Sequence, residues 1–275
     1  MLIWLNIKSP IFDGGISMDT VYKIDISKSF NTWGLNLFKT CMITGALKAS
    51  FLFDWVIWLK ELFYNTHKIL LSDVLINMSF VLWDKKHLYV LEIKNEKIIS
   101  EKLRVWHSQK RSLLLTREKI NNLKDNMSMI YYLSLTDNNY SDLVLQCMNN
   151  IVVLDKDDSP RYISELFKKG ATVFVNRLME GSHHLTRLDF LKDIEEWCFN
   201  QWQLIFSTND ILLMDSFNRD QIRLVEKNRY WEVSMYSLAE FKWLRKDAVL
   251  SRQYIKGRFW AIPIHTDIED VFTEF

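Results

Sequence analysis

Residues 81–97 read "VLWDKKHLYVLEIKNEK", and the fold class turns on them. Side chains alternate across a strand, so Leu88, Val90, Glu92 and Lys94 share one face while Tyr89, Leu91 and Ile93 share the other. The second set is wholly apolar, as the buried face of an antiparallel strand must be. The polar run before it supplies a reversal. With Lys85-Lys86 as a two-residue turn, Asp84 faces His87, Ser79 lies opposite Glu92 and Asn77 is diagonal to it on the same face.

Helical and extended patterns alternate outward from this hairpin. From Thr32 to about His67 the positions Leu35, Phe38, Met42, Leu47, Phe51, Trp55, Leu59 and Leu62 recur as an imperfect helical face, with Gly45 as a point of division. Residues 98–124 read as mostly helical, with Leu103, Trp106, Leu113 and Ile120 on one side. "MSMIYYLSLT" at 127–136 is rich in β-formers, and "LVLQCM" and "IVVLD" flank Asn149-Asn150 as a hairpin. "SPRYISELFKKG" at 159–170 has every signal of a helix: Ser159 as N-cap, Pro160 at the first position, Lys168-Lys169 at the carbonyl end and Gly170 as terminator.

Beyond it, a helix over 186–201 carries the stripe Leu188, Leu191, Ile194 and Cys198. Hairpins are expected in "QLIFSTNDILLMDS" and "IRLVEKNRYWEVSMY", then a helix near 237–255. The expected fold is α+β, antiparallel hairpins packed with amphipathic helices. The charged junction "DKDDS" divides it into subdomains 1–157 and 158–275.

Composition limits the functions. Of 275 residues 48% are hydrophobic, enough for a large core, and 35 Lys and Arg against 34 Asp and Glu give no overall basic field to draw in nucleic acid or anionic lipid. Any such attraction is local. The most apolar segment, "FLFDWVIWL" at 51–59, is interrupted by Asp54 and is shorter than a spanning helix requires. The opening residues carry no basic leader and no small-residue cleavage site. Cys41, Cys147 and Cys198 fit reduced thiols of a cytoplasmic core, with Cys41 and Cys198 buried.

The outward pair Glu92 and Lys94 resembles the second half of the PD-(D/E)XK nuclease motif. In that family an Asp on one strand and the acidic residue of the next bind a divalent metal, and the Lys helps to activate water. The order of elements over residues 35–136 resembles it as well: helix, hairpin ending in Glu-x-Lys, basic helix, strand. The resemblance implies Mg²⁺ held by Glu92 and a second acid, with Lys94 catalytic. In the register above, Asn77 and Ser79 stand where that acid is expected, and Asp73 takes the role only if the pairing slips or a bulge intervenes.

Basic residues give a second pointer. Between Lys94 and Lys124 nine Lys or Arg face three Glu, and Lys110, Arg117 and Lys124 recur every seven residues, a line on a helix suited to phosphates, with Trp106 or His107 to stack on a base. A further cluster, Lys242, Arg245, Lys246, Arg252, Lys256 and Arg258, precedes the acidic "DIEDVFTEF". "SPRYISELFKK" resembles a fragment of the AraC-type helix-turn-helix regulators, without their second helix-turn-helix. His183-His184 reads as a loop. The expectation is a non-catalytic cytoplasmic binding or regulatory protein that needs no cofactor and no membrane, and acts through a protein partner or nucleic acid. A divergent Mg²⁺-dependent nuclease built on Glu92, Lys94 and Asp73 is the alternative.

Overall fold

The computed structural model describes residues 2–13, 16–25, 40–45, 50–64, 73–82, 85–107, 110–125, 127–136, 139–154, 160–196, 202–227, 233–245 and 247–259. Its strands are β1 (Leu2–Asp13), β2 (Ile16–Asp25), β3 (Thr40–Gly45), β4 (Asp73–Leu82), β5 (Lys85–Lys94), β6 (Lys97–His107), β7 (Lys110–Thr116), β8 (Ile151–Leu154), β9 (Thr172–Val175), β10 (Gln203–Ser207), β11 (Ile222–Lys227) and β12 (Val233–Ser237). The helices are α1 (Ser50–Tyr64), α2 (Met129–Ser134), α3 (Asn139–Asn149), α4 (Pro160–Lys168), α5 (His184–Glu196) and α6 (Leu250–Ile255). The fold is α+β. The twelve strands among the described residues form one sheet in the order β7-β6-β5-β4-β1-β2-β12-β11-β3-β10-β9-β8.

The sheet has two characters. From β7 to β2 every neighbouring pair is antiparallel. From β11 to β8 every pair is parallel. The β11–β12 hairpin, expected from the sequence, joins them: β12 runs antiparallel to β11 and parallel to β2. The difference is written in the residues. On β4 a buried Val74, Ile76 and Met78 alternate with Asp73, Leu75 and Asn77, which water reaches, whereas Thr172–Val175 and Gln203–Ser207 are buried throughout. Antiparallel sheets tolerate one wet face; parallel strands, connected by helices, are covered on both.

Alternation then sorts the core into two layers. Ile43, Phe174, Ile205 and Val225 join the inner face of the β4–β6 meander and α1, α2 and α3 in one cluster. Their neighbours Met42, Val173, Val175, Leu204, Phe206 and Leu224 pack in a second cluster with α4, α5 and α6. Lys60 of α1 donates its ammonium to the Ile151 carbonyl, tying α1 to β8.

Several expected elements differ. The described residues of 98–124 form no α-helix: they make β6, β7, a 3-10 turn at Arg117–Lys119 and a loop. "MSMIYYLSLT" is a helix instead of a strand, capped by Ser128, whose Oγ accepts from the Ile130 N–H. "LVLQCM" belongs to α3, so Asn149-Asn150 ends a helix and does not turn a hairpin. The stretch 203–216 holds β10 and then a 3-10 turn, and 237–255 holds a 3-10 turn and the short α6. In 32–67 the part before Gly45 includes strand β3, and the part after it includes α1. The helix at 160–168 is as expected, closed by Gly170 at φ 73° with the Ala171 N–H returning to the Leu166 carbonyl. Ser159, its expected cap, and Cys198 lie outside the described residues, as do the side chains of Cys41, His107 and Lys110.

Candidate functional site

The strand carrying Glu92 and Lys94 starts at Lys85, which pairs with Leu82, so the reversal precedes Lys85-Lys86. The register therefore differs from the expected one: Ser79 is opposite Leu88 and Asn77 opposite Val90, while Leu75 faces Glu92 and Asp73 faces Lys94. The displacement is an even number of residues, so no side chain changes face. Its effect is to bring Asp73 beside Lys94 and diagonal to Glu92, the slip that the nuclease resemblance requires if Asp73 is to be its second acid.

Lys94 Nζ lies 2.9 Å from Glu92 Oε1, and the two side chains are 54% and 32% exposed. The hydrogen bond and charge of Glu92, with a smaller pull from Asp73, hold the Lys94 ammonium above its ordinary pKa. Asp73 Oδ1 also accepts from the Asn95 N–H at 3.4 Å. The result is an acid, ammonium, acid strip at the open end of the hairpin. Among the described residues no three His, Cys, Asp or Glu are grouped to hold a metal ion. Two carboxylates and a lysine are suitable residues for Mg²⁺ chemistry, but a cation at Glu92 has to displace the ammonium already there.

Lys110, Arg117 and Lys124 do not share a helix. Lys110 is on β7, Arg117 opens a 3-10 turn and Lys124 sits in the following loop. Arg117 is turned inward, donating to the carbonyls of Met127, at 2.7 Å, and Lys124. Lys124 keeps an exposed side chain. Trp106 carries Lys86 Nζ 4.8 Å from its ring centroid.

Arg117 serves a group that the sequence reading passed over. Glu101, on the inner face of β6, is fully buried. Its Oε1 accepts from Tyr89 Oη at 2.6 Å, Ser128 Oγ at 2.8 Å and the Ile130 N–H at 3.3 Å; Oε2 accepts from the Met129 N–H and lies 3.6 Å from Arg117. Burial pushes the Glu101 carboxyl up against the opposing pull of these hydrogen bonds. Burial and Glu101 together drive the Tyr89 phenol well above its usual range. The arrangement fastens the start of α2 to β5 and β6. A charged residue among Leu103, Val105 and Ile98 is the signal that could have found it.

At the carboxyl end of β10 a second cluster forms. Asp210 Oδ2 is 2.9 Å from His184 Nδ1 and 3.3 Å from Arg187 Nε, and Oδ1 accepts from the Leu212 N–H at 3.2 Å. His184 thus opens α5 and is anchored to the β10 loop, while His183 is exposed. The carboxyl ends of parallel strands are where open α/β sheets place ligands; here the cluster's carboxylate is already shared among three partners within the chain.

No protein-family model matches this sequence, and no curated protein is detectably similar to it.

Proposed function

We propose that the protein is a non-catalytic binding or regulatory protein, acting through a protein partner or nucleic acid. The observation that supports this is the outward face of the β4–β7 meander. One face of those strands is sealed in the core, and the other presents Leu75, Asn77, Val90, Lys102, Arg104 and Leu113, all partly or well exposed. A face that mixes aliphatic and charged side chains in this way matches the composition of a non-obligate protein interface. It ends at β7, an edge strand whose outer backbone groups suit pairing with a second chain.

The test compares the wild type with Leu75→Lys/Leu113→Lys, both exposed positions, as bait in cell extract. A defined partner held by the wild type and released by the variant is expected. Equal retention, or none by either, rejects this face as the interface.

The slipped register favours one other reading, the Mg²⁺-dependent nuclease, because it brings Asp73 beside Lys94 and diagonal to Glu92. Bound Mg²⁺ would polarise a phosphate and acidify a water; Glu92 and Asp73 would hold it and Lys94 would stabilise the developing charge. Cleavage of DNA or RNA dependent on Mg²⁺ or Mn²⁺, and lost in both Glu92→Gln and Asp73→Asn, would establish it. Absence of cleavage in the wild type leaves the strip as surface charge.

A further inference from the structure

We infer that the surface formed by residues 242–258 is an interface for single-stranded nucleic acid, with Trp243 as the stacking platform. The inference rests on the binding reading above and names its ligand. This stretch holds six Lys or Arg against one Asp, in a chain whose formal net charge is only +1. Lys242, Arg245, Arg252, Lys256 and Arg258 are exposed, so the charge is presented to solvent.

Trp243, among them, is 52% exposed. It is nevertheless held: its ring stacks on Phe259 at 5.9 Å and 22° and meets Phe241 edge-on at 5.8 Å, while Phe241 and Phe259 touch at 5.2 Å and are buried. An indole fixed from below and wet above loses little freedom when a base settles on it. Bases stack on such platforms without regard to sequence, and cations around them track the phosphates. A duplex hides its base faces, which makes the single strand the fitting form. An acidic peptide would use the same cations but not the flat ring.

The experiment is fluorescence anisotropy of a labelled 20-nucleotide oligo(dT) with the full chain at several salt concentrations. Binding at low salt is expected, weakened about tenfold by Trp243→Ala and mostly retained in Trp243→Phe. Lys242→Gln/Arg245→Gln/Arg258→Gln should reduce the slope of log affinity against log salt by about 2. Circular dichroism melts check that each variant is folded. Failure of the wild type to bind overturns the inference, as does binding that none of these folded variants alters. Binding gained only when Asp267, Glu269, Asp270 and Glu274 are neutralised also overturns it, because the chain's own acidic segment is then the ligand. None of these failures touches a protein partner on the meander face, which the extract experiment decides separately.

Discussion

Glu101 shows how much one residue organises. A buried carboxylate deprived of partners is prohibitive, yet this one has four hydrogen-bond donors and a nearby guanidinium. Glu101→Ala takes from Arg117, which is only 11% exposed, its buried carboxylate and takes from the Met129 N–H its acceptor. We expect a loss of about 3–5 kcal/mol, read from urea midpoints at neutral pH. Glu101→Gln gives the pH dependence. The folded-state pKa is raised, so the proton-linked contribution is fully present below the ordinary glutamate value of about 4.3 and is lost as pH rises through the folded value. The stability of wild type minus that of Glu101→Gln should therefore fall as pH rises above about 4.3; a difference that rises instead would show a depressed pKa. Cys147 is a simpler case. It is buried and its thiol is pushed up to about 11, so maleimide should label it slowly in the folded chain and rapidly in urea.

The same glutamate explains why β6 was hard to read as an element. Its inner face runs Ile98, Glu101, Leu103 and Val105, and two irregularities break the period of two. The charged residue removes an apolar letter, and the register shifts where Glu92 pairs with Ser100 but Ile93 with Ile98, leaving Ile99 as an extra residue. A second shift sets Leu115 against Leu103 and Leu113 against Arg104. What remains, Leu103, Trp106, Leu113 and Ile120, imitates helical spacing. By contrast β5 has no polar residue on its apolar set Tyr89, Leu91 and Ile93, and α4 carries its stop signals in the local sequence, so both are legible. The turn between β5 and β6 offers a check. Asn95 and Glu96 have φ of 48° and 62°, the pattern of a two-residue hairpin turn, in which Asn is tolerated and Glu is strained. Glu96→Gly should raise stability by about 0.5–1 kcal/mol, measured by thermal melting, whereas Asn95→Val should lower it.

At the scale of the molecule, the strand order was not legible because it depends on pairings between distant segments. Short apolar runs such as "TVFV" and "QLIFS" are compatible with either sheet type until their neighbours are known. The decisive neighbour is β3. It belongs to the first half of the chain, yet it lies between β10 and β11, with Met42 paired to Phe206 on one side and Ile222 on the other. Ile43 and Met42, fully buried, enter opposite core layers. A cut after residue 157 would leave 158–275 with two parallel strands facing a gap where β3 runs, and would deprive β3 of both partners. Loss of a central strand exposes apolar surface on both faces of the sheet and the ladder groups of its neighbours. We therefore expect 158–275 expressed alone to be insoluble or unfolded, and co-expression with 1–157 to recover a soluble pair that melts in one transition. Independent solubility of 158–275, with its own cooperative melt, would show that β10 and β11 close without β3 and that the junction at 155–159 separates two folding units.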